Sequence, residues 1–362
     1  MKRQLLFAAL MASLLTPAAS RSAPFVPNRN AQAVAISLDG KLAATGKSGM
    51  SNSEFPPRPH PSPNKCGLIE IWEVGTGKRL QRMETFGDIT RLEFSPDGGL
   101  LVAARLYRTD DSTELDKVRV INVADGTVVR DYNRCRGFAF SPDSRELTVL
   151  SHSKCVVFDA ATWRKQREIE PLGGALSVEF SPRGDLLAGV ICSEGQFSYS
   201  LCDAREGMLV AKSRELKGAF YTVKFSPDGR YLATGHDGGL VLWDISAAAA
   251  DGLQPIAQFK TGSPGIEHPF FSPDGLILAA GNQKNGEVIM WEIDTSKELR
   301  RFSFDRGSFH TYIRRTADET ARPEDDPARF AFTPDGSAFM AGCQGGVIRT
   351  ISSGQELRRL EQ

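Results

Sequence analysis

A five-residue phrase, Phe225-Ser226-Pro227-Asp228-Gly229, constrains this chain more than any other stretch, because it recurs. Copies start at Phe94, Phe140, Phe180, Phe271 and Phe332, and a weaker first copy reads Ile36-Ser37-Leu38-Asp39-Gly40. Proline presets φ at the second position of a turn, Asp suits the next, and Gly takes the left-handed conformation that returns a hairpin to its ladder. The phrase therefore reads as a short hairpin loop with a bulge. Around it, Tyr221 to Phe225 alternates as one strand and Tyr231 to Thr234 as a second. After a turn from Gly235 to Gly239 come a third strand, Leu240 to Trp243, and a fourth, Ile256 to Phe259. Four short antiparallel strands, repeated seven times at intervals of mostly about 40 residues, are the pattern of propeller blades. The expected fold is all-β: a single seven-bladed β-propeller of four-stranded antiparallel blades over residues 33–362.

About fifteen residues after the phrase stands Trp243-Asp244, echoed by Trp72-Glu73 and Trp291-Glu292. Ile121-Asn122, Phe158-Asp159, Cys202-Asp203 and Thr350-Ile351 occupy the same place in the other units. In these residues the chain resembles the WD40-repeat family over nearly its whole length. The resemblance implies a scaffold role. It departs from the family where Gly-His usually precedes the first strand; Gly87-Asp88 is the nearest echo. That pair belongs to a buried His–Ser/Thr–Trp network, so the blades are expected to rest on apolar packing more than on that network.

The chain starts with Lys2 and Arg3, an apolar run from Leu5 to Leu15, and the small residues Ala18-Ala19-Ser20. This is the pattern of a signal peptide over 1–20, and the expected location is exported, periplasmic or extracellular. The apolar run falls well short of the ~20 residues that span a bilayer, so no membrane span is expected. Residues 21–32, with Pro24 and Pro27, read as a leader. Balanced charge, 44 basic against 44 acidic residues, removes the general electrostatic case for nucleic acid.

Three segments exceed the usual connection length: 47–65, 106–117 and 306–327. The first two join second to third strands in blades one and two, and the last joins blade six to blade seven. Strand alternation sends all three to one face, opposite the turn phrases, on consecutive blades of a closed ring. The first is stiffened by Pro56, Pro57, Pro59, Pro61 and Pro63. The last carries aromatic and Arg groups of the kind enriched at binding hot spots. The candidate partner-binding residues are Phe55, His60, Phe309, His310, Tyr312, Arg314 and Arg315. The alternative is that these are tolerated surface insertions.

The chemistry-bearing residues are scattered. Five histidines show no paired-ligand spacing and no CxxC occurs, so no metal site, catalytic residue or cofactor is expected. Glu93, Glu179 and Lys224 flank the first-strand aromatics, and alternating strand faces are expected to keep them a weak cluster. Of the six cysteines, Cys192 and Cys202 are expected roughly 15 Å apart, beyond the ~7 Å Cα limit of a disulfide. Cys155–Cys192 or Cys66–Cys343 would staple neighbouring blades; the alternative is six buried free thiols. The preferred function is a non-catalytic propeller that binds protein or peptide partners, a monomeric domain within a larger assembly. A propeller hydrolase or lactonase with a site at the central channel is the alternative.

Overall fold

Each described turn phrase closes a hairpin between the first two strands of a four-stranded sheet. The computed structural model describes residues 31–50, 66–74, 76–86, 88–106, 117–151, 153–193, 196–213, 220–236, 239–246, 252–261, 267–282, 287–303, 330–332, 338–341, 347–350 and 356–359. Sheet one holds β1 (Ala31–Ile36), β2 (Leu42–Met50), β3 (Cys66–Glu73) and β4 (Arg79–Phe86). Sheet two holds β5 (Asp88–Phe94), β6 (Leu100–Leu106), β7 (Lys117–Asn122) and β8 (Val128–Asn133). In sheet three are β9 (Cys135–Phe140), β10 (Glu146–Ser151), β11 (Cys155–Asp159) and β12 (Lys165–Glu168). Sheet four comprises β13 (Ser177–Phe180), β14 (Leu186–Ser193), β15 (Gln196–Asp203) and β16 (Leu209–Lys212). Sheet five comprises β17 (Phe220–Phe225), β18 (Tyr231–His236), β19 (Gly239–Asp244) and β20 (Gln254–Lys260). Then follow β21 (Glu267–Phe271), β22 (Ile277–Asn282), β23 (Glu287–Glu292) and β24 (Glu298–Ser303) in sheet six. Sheet seven has β25 (Phe330–Phe332), β26 (Ala338–Ala341), β27 (Val347–Thr350) and β28 (Glu356–Arg359). Every sheet is an antiparallel meander in chain order.

The turn phrase works as a small hydrogen-bonded unit. In sheet five Ser226 Oγ donates to Asp228 Oδ1 and accepts from the Tyr231 N–H, while Asp228 Oδ1 also accepts from the Arg230 N–H. Sheets one, two, three and six repeat this at Ser37–Asp39, Ser95–Asp97, Ser141–Asp143 and Ser272–Asp274. Sheet four has Arg183 where the others have Asp, and Asp185 takes over, receiving the Ser181 hydroxyl at 2.7 Å. The repeated carboxylates hold turns, as expected. Among the described turns the left-handed position falls to Gly, except Ser144, whose φ is 61°. Its Oγ accepts the Asp97 N–H of the preceding turn at 2.9 Å, tying sheet two to sheet three.

First strands pack against the neighbouring sheet in sequence: β1 on β5, β9 on β13, β13 on β17, β17 on β21 and β21 on β25. β7 meets β9 between sheets two and three. The arrangement is propeller-like, and the core is divided accordingly, each apolar cluster drawn from two successive sheets. Phe138 and Phe140 join Val102, Val118 and Val120 between sheets two and three. Tyr199 and Leu201 meet Val223, Phe225 and Trp243 between sheets four and five. Full burial of one such side chain stabilises by about 1.5–3 kcal/mol, so apolar packing carries the interfaces, as expected. The hydroxyl–indole half of the family's network nevertheless survives. Trp243 Nε1 donates to Thr234 Oγ1 at 2.9 Å, and Trp72 Nε1 to Thr45 Oγ1 at 3.2 Å.

Candidate functional site

The long connections attach where the sequence put them. One joins β2 to β3, one β6 to β7 and one β24 to β25. β2 runs on to Met50, so the first begins after residue 50 rather than at 47, a paired strand end having been read as loop. Antiparallel order places second-to-third connections and sheet-to-sheet connections at the same strand ends. Phe55, His60, Phe309, His310, Tyr312, Arg314 and Arg315 all lie outside the described residues.

A second feature gathers at the inner edge. The residue one before the phrase aromatic pairs in every described case with the same position of its second strand: Ala35 with Ala44, Glu93 with Val102, Glu179 with Ala188, Lys224 with Ala233. Glu93, Glu179 and Lys224 therefore occupy equivalent positions on three first strands, where a weak cluster was expected. The common offset from the phrase was the signal that could have shown this. Lys224 Nζ lies 2.7 Å from Glu179 Oε1, joining sheets four and five. Arg91 lies 2.6 Å from Glu93, with its guanidinium 4.5 Å over the Phe138 ring. Burial pushes the Glu179 carboxyl up, Lys224 opposes this, and the charges of Glu93 and Arg91 act on it more weakly. General acid–base work needs a group poised to give or take a proton at the substrate. Here each carboxylate is held by a cation instead.

The cysteines differ from one staple and from one part of its alternative. Cys135, Cys155, Cys192 and Cys202 are free, so the Cys155–Cys192 bridge is absent, and Cys192 is exposed rather than buried. Cys192 pairs in register with Phe197 and Cys202 with Leu187, which separates them along the hairpin as expected. Cys155 and Cys202 share the apolar cluster between sheets three and four, and burial pushes both thiols up to about 12. Among the described residues no group of three or more His, Cys, Asp or Glu could hold a metal ion. No helix among them is long and apolar enough to cross a membrane.

Comparison with known proteins follows the fold. The WD40 family, described as WD domain, G-beta repeat, matches residues 212–244, the stretch holding the best-formed phrase and Trp243-Asp244. Telomerase Cajal body protein 1 of Mesocricetus auratus is 26% identical over 231 residues, covering 56% of this chain and 41% of that protein. A guanine nucleotide-binding protein subunit beta of Arabidopsis thaliana is 25% identical over 251 residues, covering 64% of each. The β-propeller domain of Myceliophteria thermophila Cps50 (Swd1) superposes with a TM-score of 0.65 at 16% identity, over 89% of this chain and 97% of that one, a likeness of fold alone. The chain spans about two fifths of the length of the first curated relatives it matches.

The class these findings support is the β-propeller. Within it, the matched repeat and the relatives support a WD40-repeat assignment. The same comparisons overturn the expected location: the first relatives are Cajal body proteins, and none of the similar proteins reported above is described as exported.

Proposed function

We propose that residues 33–362 form one closed seven-bladed ring, a non-catalytic scaffold that binds protein or peptide partners through the face carrying 47–65, 106–117 and 306–327. The observation that carries this reading is the common attachment of the three long connections. Each leaves the sheets at the end opposite the turn phrases, on sheets six to seven, one and two. Closure would make those sheets consecutive. The relatives support the scaffold role and the non-enzymatic character of the chain. Phe309, Tyr312, Arg314 and Arg315 supply the rigid rings and forked donors that dominate binding energy at such surfaces.

The test is affinity capture with the folded wild-type chain, a variant with 306–327 replaced by a short Gly-Ser connection, and the Phe309→Ala/Tyr312→Ala/Arg314→Ala variant. Partners retained by the wild type and lost by both variants, with unchanged thermal melts, would bear the reading out. An unchanged partner set would remove the loop face from consideration.

A further inference from the structure

The outer rim of sheet four differs from the others in chemistry. Most described outer strands carry ion pairs at the rim: Arg79 with Glu70, Asp131 with Arg119, Glu168 with Lys165 and Lys154, and Glu298 with Arg301. Such charges keep the last strand of a sheet from adhering to other chains. β16 is instead Leu209-Val210-Ala211-Lys212, preceded by Met208. Met208, Leu209 and Val210 are 64%, 48% and 38% exposed, three consecutive large apolar side chains in water. The register with β15 skips Val210, whose neighbours Leu209 and Ala211 are paired.

Charge selects the occupant. The apolar run is bounded by Glu206 on one side and Lys212 on the other, both exposed. Neither has an ion-pair partner among the described residues. The two charges stand three residues to either side of Leu209. A second copy turned through 180° about an axis at Leu209 therefore sets each Glu206 against the other copy's Lys212, with Met208 over Val210. An isologous contact of this kind is the commonest way soluble chains pair.

We infer that this rim is a self-association surface: two copies of the chain meet antiparallel along Met208–Lys212, with two reciprocal Glu206–Lys212 contacts flanking an apolar strip. The strip is far smaller than the ~800 Å² per partner of a stable interface, so the dimer is weak and reversible. It uses none of 47–65, 106–117 or 306–327 and stands independently of the loop-face reading.

Sedimentation equilibrium of the full chain from low micromolar to near-millimolar concentration tests it. The wild type is expected to pass from monomer to dimer with a micromolar dissociation constant that weakens as salt is raised. Glu206→Lys and Lys212→Glu each weaken it about tenfold or more, and the double exchange Glu206→Lys/Lys212→Glu restores it. Val210→Lys abolishes it. Near-ultraviolet circular dichroism identifies any variant that fails to fold, and the two single charge variants, altered at exposed positions, keep the comparison decisive. A wild type that stays monomeric throughout, or a double exchange that associates no better than the singles, overturns the inference.

Discussion

At the scale of single residues, the turn phrase makes a prediction its own exception can check. Asp228 accepts the Ser226 hydroxyl and the Arg230 N–H, so Asp228→Ala should cost about 1 kcal/mol in urea unfolding. Arg183→Asp should change little, because Asp185 already receives the Ser181 hydroxyl. The same carboxylates set the acid limit. The Ser37 hydroxyl, with Lys41, holds Asp39 down to about 2, and seryl hydroxyls hold Asp143 and Asp228 below the usual carboxylate range. A carboxyl lowered on folding contributes stability that is complete above the unfolded value of about 4 and lost as pH falls through the folded one. Stability should therefore decline from about pH 4 towards pH 2, and Asp39→Asn should flatten that decline in acid titrations followed by circular dichroism. Ser144 and Ser296 both hold positive φ, but of the two only Ser144 has a side-chain bond to the preceding turn. Ser296→Gly should stabilise by about 0.5–1 kcal/mol and Ser144→Gly should not, as thermal melts of the two variants would show.

At the scale of strands and sheets, the recurring Ser-Pro-Asp-Gly made the first hairpin of each unit legible, because each of its residues has a backbone or hydrogen-bonding reason to be there. Offsets between sheets were harder to read. Glu179 and Lys224 are 45 positions apart, and nothing local announces that they meet; only counting back from Phe180 and Phe225 aligns them. The exception at Arg183 was hidden because Asp185 fills the same role from two positions further on. Gly239 shows the tightest constraint of an element on a residue. A Cβ there would collide with the Phe259 carbonyl oxygen, where β19 pairs with β20. Backbone cannot step aside as a side chain can, so Gly239→Ala should destabilise by about 2 kcal/mol or more, with His236 to Lys260 the first amides to lose protection in hydrogen exchange.

For the whole molecule, each apolar cluster draws on two adjacent sheets, so stability passes from neighbour to neighbour. A closed ring needs the last sheet to cover the first. Removing residues 330–362 should then leave two bare apolar faces and broaden or abolish the cooperative thermal transition; an undiminished sharp melt would mean that the ring is open. The turn glycine bears on how such a circle could meet its own tail. A Cβ at Gly184 would stand 3.3 Å from Pro142, one at Gly229 3.5 Å from Pro182 and one at Gly275 3.8 Å from Pro227. In sheets four, five and six the glycine that lets the hairpin bend thus also faces the proline of the turn before it, so these turns lie along the seams between one wedge and the next. Angular errors accumulate around a circle, so a few degrees added at each of these seams would leave a gap wider than any side chain could bridge.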